Sequence, residues 1–160
     1  KQYNFKSLDV ARSVLINLNQ EDIVISLSAP SKIPVEWLDQ VKAKVNIHCG
    51  KLPKYAGMMP IFWQINDGLD EISITIHSLA KEIDTGKVFL ETKIKLSHSL
   101  FETSRLAKRE SAHLLKKFLL DVESNIENII ERKFLSDDVI LRKFPNKKEV
   151  KDFKKIHRLV

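Results

Sequence analysis

Two polar side chains stand two residues apart at the end of a short apolar run. Asn46 and His48 flank Ile47 in residues 45–48, a run whose composition favours a β-strand. Side chains at positions i and i+2 of a strand project from the same face, so the amide and the imidazole would lie side by side. Such a pair suits acyl transfer, because an amide N–H stabilises a developing oxyanion and an imidazole moves a proton or donates to the same oxyanion. On spacing alone, a lone histidine at a strand end is more often structural.

Cys49 directly follows His48 and is the only cysteine of the chain. Adjacent strand residues point to opposite faces, so the spacing disfavours a Cys–His nucleophilic pair. The single cysteine and the five histidines show no metal-ligand spacing, and no metal site is predicted. His77 shares a predicted strand face with Thr75, and this position favours a packed or half-exposed sheet histidine.

Asp84 lies in a tight I-D-T-G segment between two runs of alternating apolar residues, 72–79 and 88–96. The alternation predicts two strands that form a hairpin or lie side by side. Asp and Gly are favoured in turns, so turn geometry alone explains these residue types. A chemical role for Asp84 therefore needs support from elsewhere in the sequence.

The elements around these residues indicate an α/β domain with a mostly parallel sheet. Open α/β sheets bind ligands beyond the carboxyl ends of their strands, where Asn46 and His48 are expected. Only two strands precede the hairpin, and so small a sheet would leave an exposed edge, which predicts further strands on the N-terminal side. The sequence predicts strands at 22–28, 45–48, 72–79 and 88–96. It predicts helices at 7–18, with Ser7 as the N-cap, at a short turn opened by Pro34, and at 61–66. A long helix is predicted at 99–124, a second helical segment from there to about 134, and a short helix from Pro145.

Composition places the chain among ordinary globular proteins. Its 160 residues are 43% hydrophobic and 30% charged, which predicts one domain with a real core. We assign that domain to residues 1–132 and a basic extension to residues 133–160. No apolar run approaches the roughly 18–20 residues of a membrane helix, and the first residues do not resemble a signal peptide. The lone cysteine fits a reducing, cytoplasmic location.

The net charge of +6 favours anionic partners such as phosphates, nucleotide sugars, folate glutamates or nucleic acid. Most of the excess lies after Lys133. We interpret this segment as a solvated basic tail. It lacks the interleaved aromatic residues and the signatures of an RNA-binding surface, so nucleic acid is not the expected partner.

Taken in order, these segments resemble the folate-dependent formyltransferase family. Residues 46–57, N-I-H-C-G-K-L-P-K-Y-A-G, are similar to its signature loop, which usually reads N-x-H-P-S-L-L-P-x-Y-x-G or carries G-K in place of S-L. The similarity continues through Pro60, Trp63, the N-D-G turn at 66–68, the T-I-H strand at 75–77 and the I-D-T-G loop, and covers roughly residues 22–120. Residues 144–159 resemble, more weakly, the C-terminal stretch of members that lack the tRNA enzyme's second domain. The family includes methionyl-tRNA, glycinamide ribonucleotide and amino-sugar formyltransferases.

The resemblance implies a Rossmann-like formyltransferase fold and 10-formyltetrahydrofolate as the formyl donor. Asn46 would hydrogen-bond the oxyanion of a tetrahedral intermediate, and His48 would assist as general acid or base or as a second donor. Asp84 would orient His48 and help to remove the proton of the attacking ammonium. The pterin would lie between two segments, Ser31, Lys32, Ile33 and Pro34 on one side and Glu82, Ile83 and Asp84 on the other. The acceptor would approach past Lys51, Tyr55, Met58 and Met59.

The chain departs from the family pattern in two places. Cys49 stands where the family usually has proline after the signature histidine, a structural position at which we expect little effect on chemistry. The larger departure is at the start, because family domains begin with about two more strand–helix units that help to build the acceptor pocket. Three explanations for the absent units stay open: a fragment, the ordered part of a longer chain, and a truncated relative.

Four functions stay open at this point. The leading one is transfer to the amine of a small phosphorylated or nucleotide-linked molecule, an amino sugar in particular, because the G-K-L-P variant and the short C-terminus fit it. Methionyl-tRNA formylation is the second, with tRNA as the partner. Hydrolysis of formyltetrahydrofolate would use the same three residues, and a binding module could keep the fold without turnover. A homodimer formed through the long helix or the C-terminal segment is compatible with the sequence.

Overall fold

The helices and strands alternate along the chain as an α/β protein requires. The computed structural model describes residues 8–29, 31–127 and 139–157. Its elements are α1 (Leu8–Leu15), β1 (Ile23–Leu27), a short 3₁₀ helix (Val35–Leu38), β2 (Ala43–His48), β3 (Ala56–Gly57), α2 (Pro60–Asn66), β4 (Glu71–Ser78), β5 (Val88–Lys95), α3 (Leu100–Leu120), α4 (Val122–Glu127), β6 (Leu141–Arg142) and α5 (Lys147–Ile156). The predicted α/β class is confirmed.

The central sheet is mixed, and the prediction of a mostly parallel sheet is wrong for the described residues. Its order is β1-β2-β4-β5. Strands β1 and β2 are parallel, whereas β4 runs antiparallel to both β2 and β5. Apolar alternation has the same period in parallel and antiparallel strands, so it marks a strand without giving its direction. The predicted hairpin is confirmed as β4 and β5.

The hydrophobic core lies between the sheet and the helices α2 and α3. Ile72, Ile74 and Ile76 of β4 are fully buried in the same cluster as Ala107 and Phe118 of α3. Burying each such isoleucine contributes roughly 1.5–3 kcal/mol relative to leaving it exposed. A smaller cluster joins α1 to the 3₁₀ helix through Ala11, Leu15 and Leu38. The sheet is therefore a rigid support for the segments that follow its strands.

The long amphipathic helix is confirmed, but it is interrupted once. Ser99 is the N-cap of α3, since its side chain accepts a hydrogen bond from the Glu102 backbone N–H. At Asp121 the backbone leaves the helical region, and the Asp121 carboxylate accepts from Ser124 N at 3.2 Å, as the N-cap of α4. The predicted helical residues after Glu127, and the predicted cap at Ser7, lie outside the described residues.

The described part of the C-terminal segment packs on the domain and is not a solvated tail. Phe153 of α5 is 1% exposed, and its ring stacks on Phe62 of α2 with the centroids 4.5 Å apart. Asn146 and Glu149 form a capping box at the start of α5. The apolar face of α5 is thus part of the core, while Lys154 and Lys155 stay exposed. The predicted boundary at residues 132/133 falls outside the described ranges and stays a prediction.

Across the described residues, no helix is both long enough and apolar enough to cross a membrane.

Candidate active site

His48 ends β2 and is buried, with a polar group beside each ring nitrogen. Its Nε2 donates to the Tyr55 carbonyl oxygen at 2.6 Å. Its Nδ1 lies 3.4 Å from Oδ2 of Asp84. A carbonyl oxygen can only accept, so the ring carries its proton on Nε2. The Nδ1 lone pair is therefore the basic position, and a proton placed there would be stabilised by the Asp84 carboxylate.

Asn46 projects from the same face of β2, as its spacing from His48 predicts. Its Nδ2 lies 3.2 Å from His77 Nε2 and 3.5 Å from Asp84 Oδ1. A distance of 3.5 Å is at the limit of a hydrogen bond, so the N–H directed at Asp84 is held loosely. That N–H can turn to an oxyanion without losing a strong contact.

Asp84 joins the cluster from the turn between β4 and β5. Its backbone has φ of 56°, in the left-handed region that Asp tolerates better than most residues. The turn closes tightly, because a Cβ on Gly86 would overlap the Ser78 carbonyl. Oδ2 of Asp84 also accepts the Gly57 backbone N–H at 2.8 Å. One carboxylate thus touches His48, Asn46 and Gly57, so the structure brings the three predicted catalytic residues together.

His77 is the member of the cluster that sequence reasoning missed. It is 2% exposed; its Nδ1 donates to the Ser78 carbonyl at 2.9 Å, and its Nε2 lies 3.4 Å from Oδ1 of Asp84. The register of β2 and β4 sets His77 directly opposite Asn46. The T-I-H segment was a signal for it, but the pairing of two antiparallel strands is needed to place the ring beside Asp84.

Burial and neighbouring charges shift the pKa values of His48 and Asp84. Burial lowers the pKa of His48, and the charge of Asp84 and the bond to Tyr55 oppose this only in part. Burial alone would raise the pKa of Asp84, but the hydrogen bond with His77, the charge of His48 and the Gly57 N–H together hold it below its usual value. Near neutral pH the cluster therefore presents a neutral imidazole beside an ionised carboxylate, which is a base with a group that stabilises its conjugate acid.

The cluster lies in a cleft of about 900 Å³. Two loops predicted to hold the pterin face each other there, and Lys32 Nζ is 3.7 Å from Glu82 Oε2 across them. Ile83 is 48% exposed and offers an apolar surface. Five of the six residues predicted for the cofactor line this cleft: Ser31, Lys32, Ile33, Glu82 and Ile83. Pro34 caps the 3₁₀ helix and is not among the lining residues.

The residues predicted to contact the acceptor divide into two groups. Met58 and Met59 are exposed and line the cleft. Lys51 and Tyr55 are not among its lining residues. Tyr55 is 1% exposed, and its hydroxyl donates to Asp67 Oδ2 at 3.2 Å. Its structural contribution to the site is the backbone carbonyl that orients His48.

Cys49 also lines the cleft, and its sulfur lies 3.7 Å from the Ser111 hydroxyl of α3. Burial raises the pKa of the Cys49 thiol, which keeps it protonated and weakly nucleophilic. In the described ranges, no group of three or more His, Cys, Asp or Glu side chains could hold a metal ion.

An amide, a buried imidazole and a carboxylate lie together beside a cleft on an α/β sheet, and these are groups that acyl transfer can use. The family model for the formyl transferase family matches residues 11–122, and the chain belongs to that family.

Curated relatives of the chain are methionyl-tRNA formyltransferases. The one from Ehrlichia canis (strain Jake) is 28% identical over 131 residues, which is 81% of this chain and 42% of that protein. The one from Staphylococcus epidermidis is 30% identical over 120 residues, which is 73% of this chain and 38% of that protein. The chain thus spans about two fifths of the length of these relatives.

Two solved structures with a similar fold are formyltransferases in complex with nucleotide-linked sugars. An N-formyltransferase from Helicobacter canadensis, in complex with folinic acid and dTDP-3-aminofucose, has a TM-score of 0.71 at 21% identity over 83% of this chain and 49% of that one. The formyltransferase PseJ from Anoxybacillus kamchatkensis, in complex with a UDP-linked formamido sugar and tetrahydrofolate, has a TM-score of 0.65 at 20% identity over 98% of this chain and 75% of that one. These likenesses confirm the formyltransferase fold.

Proposed function

We propose that this chain carries the catalytic part of a folate-dependent N-formyltransferase. It would move a formyl group from 10-formyltetrahydrofolate to the amine of a small phosphorylated or nucleotide-linked acceptor, an amino sugar in particular. The observation that supports this most strongly is the Asp84 carboxylate, which contacts the base His48 and the amide Asn46 at the floor of one cleft.

The reaction begins when the acceptor amine attacks the formyl carbon. A carbon–nitrogen bond forms, and the formyl oxygen becomes an oxyanion. The loosely held N–H of Asn46 donates to that oxygen, as a single well-placed donor of this kind lowers the barrier by about 2.7–4 kcal/mol.

Proton movement completes the exchange. The attacking nitrogen becomes an ammonium and loses a proton to the Nδ1 of His48, whose imidazolium form Asp84 stabilises across 3.4 Å. When the intermediate collapses, the bond from the formyl carbon to the donor nitrogen breaks, and the proton passes to that leaving nitrogen. Tetrahydrofolate and the formamide product result, and no oxidant or metal is needed. General acid–base catalysis of this type contributes typically about 10²–10⁴-fold.

The shape of the cleft supports separate places for donor and acceptor. Ile33 and Ile83 contribute apolar side chains to the cleft lining, to which Asp84 contributes a carboxylate, and such apolar groups would suit a flat pterin ring. Met58 and Met59 also line the cleft, as do the cations Lys108 and Lys143. Flexible methionine side chains can fit a sugar ring, and ammonium groups favour a phosphate.

Methionyl-tRNA is the second candidate acceptor, because the two curated relatives described above, at 28% and 30% identity, are methionyl-tRNA formyltransferases. Water is the acceptor that would make the same cluster a hydrolase. All three acceptors require the same donor site.

A transfer assay with three acceptors distinguishes these functions. The chain is mixed with 10-formyltetrahydrofolate and with nucleotide-linked amino sugars, charged methionyl-tRNA, or neither, and tetrahydrofolate release and the formylated product are measured. We expect product with an amino-sugar nucleotide, and a rate at least about 10²-fold lower for His48→Gln. Formylated product only with methionyl-tRNA would identify tRNA as the acceptor and contradict the proposed amino sugar. Tetrahydrofolate release without an acceptor would make the chain a hydrolase.

A further inference from the structure

Both reacting side chains are held by one short stretch of backbone. The Tyr55 carbonyl fixes Nε2 of His48 at 2.6 Å, and the Gly57 N–H fixes Oδ2 of Asp84 at 2.8 Å. These two anchors stand on either side of Ala56. A shift of residues 55–57 would therefore move the base and its carboxylate together.

That stretch is itself held by the C-terminal segment. Strand β3 pairs in parallel with β6, with Ala56 opposite Leu141 and Gly57 opposite Arg142. The next N–H, that of Met58, donates to the Arg142 carbonyl at 2.8 Å. Gly57 has φ of 92°, and any Cβ there would collide with the same carbonyl, so the two backbones approach closely.

The Arg142 side chain adds a second connection to the same stretch. Its Nη2 donates to Asp67 Oδ2 at 2.8 Å, and the Tyr55 hydroxyl donates to that oxygen at 3.2 Å. The guanidinium carbon lies 5.0 Å from the centroid of the Trp63 ring and 5.8 Å from that of Tyr55. Both distances are within the range of cation–π attraction. Trp63 in turn donates its Nε1 to the Lys143 carbonyl at 3.0 Å.

We propose that Arg142 is a positioning residue that holds residues 55–57, and through them His48 and Asp84, in the reactive arrangement. The inference rests on the proposed formyl transfer. It gives the C-terminal segment a role in the reaction at a distance from the reacting atoms, because Arg142 acts through Tyr55 and Gly57. The Phe153–Phe62 stack packs α5, the helix that follows β6, against α2.

The test replaces Arg142 by methionine and by lysine. Methionine keeps an unbranched apolar stem against the aromatic rings but removes the charge and the donor to Asp67. Lysine keeps the charge and a donor. Arg105→Met, at an exposed arginine of α3, is the matched control.

Two readouts are recorded on folded protein. The first is kcat and KM for the donor, and we expect Arg142→Met to lower kcat about tenfold with KM within about twofold, because displacing a catalytic group by less than 1 Å affects the reaction more than binding. The second is the NMR signal of the ¹⁵N-labelled His48 ring, assigned with His48→Gln. It is expected to shift in Arg142→Met while that of the exposed His113 stays fixed. Arg142→Lys is expected to recover part of both effects, and Arg105→Met to change neither.

An unmoved His48 signal, or a kcat equal to that of Arg105→Met, overturns the positioning role. If the wild-type chain transfers no formyl group, the proposed function fails, and the His48 signal still decides whether Arg142 positions the ring. Should Arg142→Met not fold, Arg142→Lys and Tyr55→Phe carry the same test. Tyr55→Phe removes only the hydroxyl bonded to Asp67, and it is expected to shift the His48 signal in the same direction.

Discussion

The two faces of β4 are equally buried and opposite in character. Ile72, Ile74 and Ile76 belong to the hydrophobic core, whereas Ser73, Thr75 and His77 are buried on the opposite face of the strand. Each buried polar side chain of the second face has a hydrogen-bond partner: Ser73 has Glu91, Thr75 has the Gly50 carbonyl, and His77 has the Ser78 carbonyl. The apolar face stabilises the fold, and the polar face positions the site. Substitutions on the two faces should therefore change different measurements.

The largest effect on the rate of formyl transfer is expected at Asp84, which lies beside His77 of the polar face. Asp84→Asn keeps the shape of the side chain but cannot stabilise an imidazolium, so the rate of formyl transfer should fall by about 10²–10⁴-fold. Single-turnover kinetics on folded protein measures this fall. Asp70→Asn, at an exposed aspartate outside the cleft lining, is the control and should keep the wild-type rate. If the transfer rate of Asp84→Asn fell by less than about threefold, the Asp84 carboxylate would have no role in catalysis.

The apolar face should show the opposite behaviour. Ile74→Ala leaves a cavity beside α3 and should lower the free energy of unfolding by about 2–5 kcal/mol. Urea titration measures the loss. At temperatures where the variant is folded, its affinity for folate should match that of the wild type, since Ile74 does not line the cleft. A weakened folate affinity in folded Ile74→Ala would show that the two faces are not independent.

Thr75→Val should change both the stability and the transfer rate, each by an intermediate amount. The substitution keeps the side-chain volume and removes one hydroxyl. The Thr75 hydroxyl donates to the Gly50 carbonyl at 2.6 Å and lies 3.3 Å from the His48 carbonyl. Leaving a buried carbonyl without its donor should destabilise the protein by about 1–3 kcal/mol and also loosen the loop after His48. Calorimetric melting and the transfer rate should both decrease, unlike in Ile74→Ala. A variant as stable as the wild type would mean that the loop does not depend on this bond.

The smallest effect is a dependence of stability on pH. The pKa of His48 is lower in the folded protein than its usual 6.5, so below pH 6.5 the unfolded chain binds the proton first. Stability should therefore decrease as the pH falls from 6.5 towards the folded-state value, and His48→Gln should flatten this slope. The lowered pKa of Asp84 acts in the same direction at lower pH, beginning near the usual value of 3.8. Unfolding midpoints in urea across this pH range, for wild type and His48→Gln, measure the difference. Equal slopes would contradict the burial of a neutral His48.

Local patterns in the sequence predicted the four strands of the central sheet, the main helices and part of the site, but not the short strands β3 and β6. The spacing of Asn46 and His48 placed them on one strand face, and the alternation around Asp84 predicted the hairpin that carries it. The resemblance of residues 46–57 to a family loop joined these segments before any geometry was known. Each of these inferences depends on residues close together in the chain.

What the sequence did not show depends on long-range pairing. Strand direction and register bring His77 opposite Asn46, and neither is encoded in apolar alternation. The burial of Tyr55 and the packing of the C-terminal segment depend on Asp67, Trp63 and Phe62, which no local pattern connects to Arg142 or Phe153. The high density of lysines led to the prediction of a solvated tail. The buried aromatic residue Phe153 changes the composition of that segment very little.

The most direct test of the account is calorimetric binding of 5-formyltetrahydrofolate, a non-reactive folate, to the wild type, Asp84→Ala and Asp70→Ala. We expect saturable binding to the wild type and to Asp70→Ala, with affinity at least about tenfold weaker in Asp84→Ala. No binding to a well-folded wild-type chain, or equal affinity in all three proteins, would contradict a donor site beside Asp84.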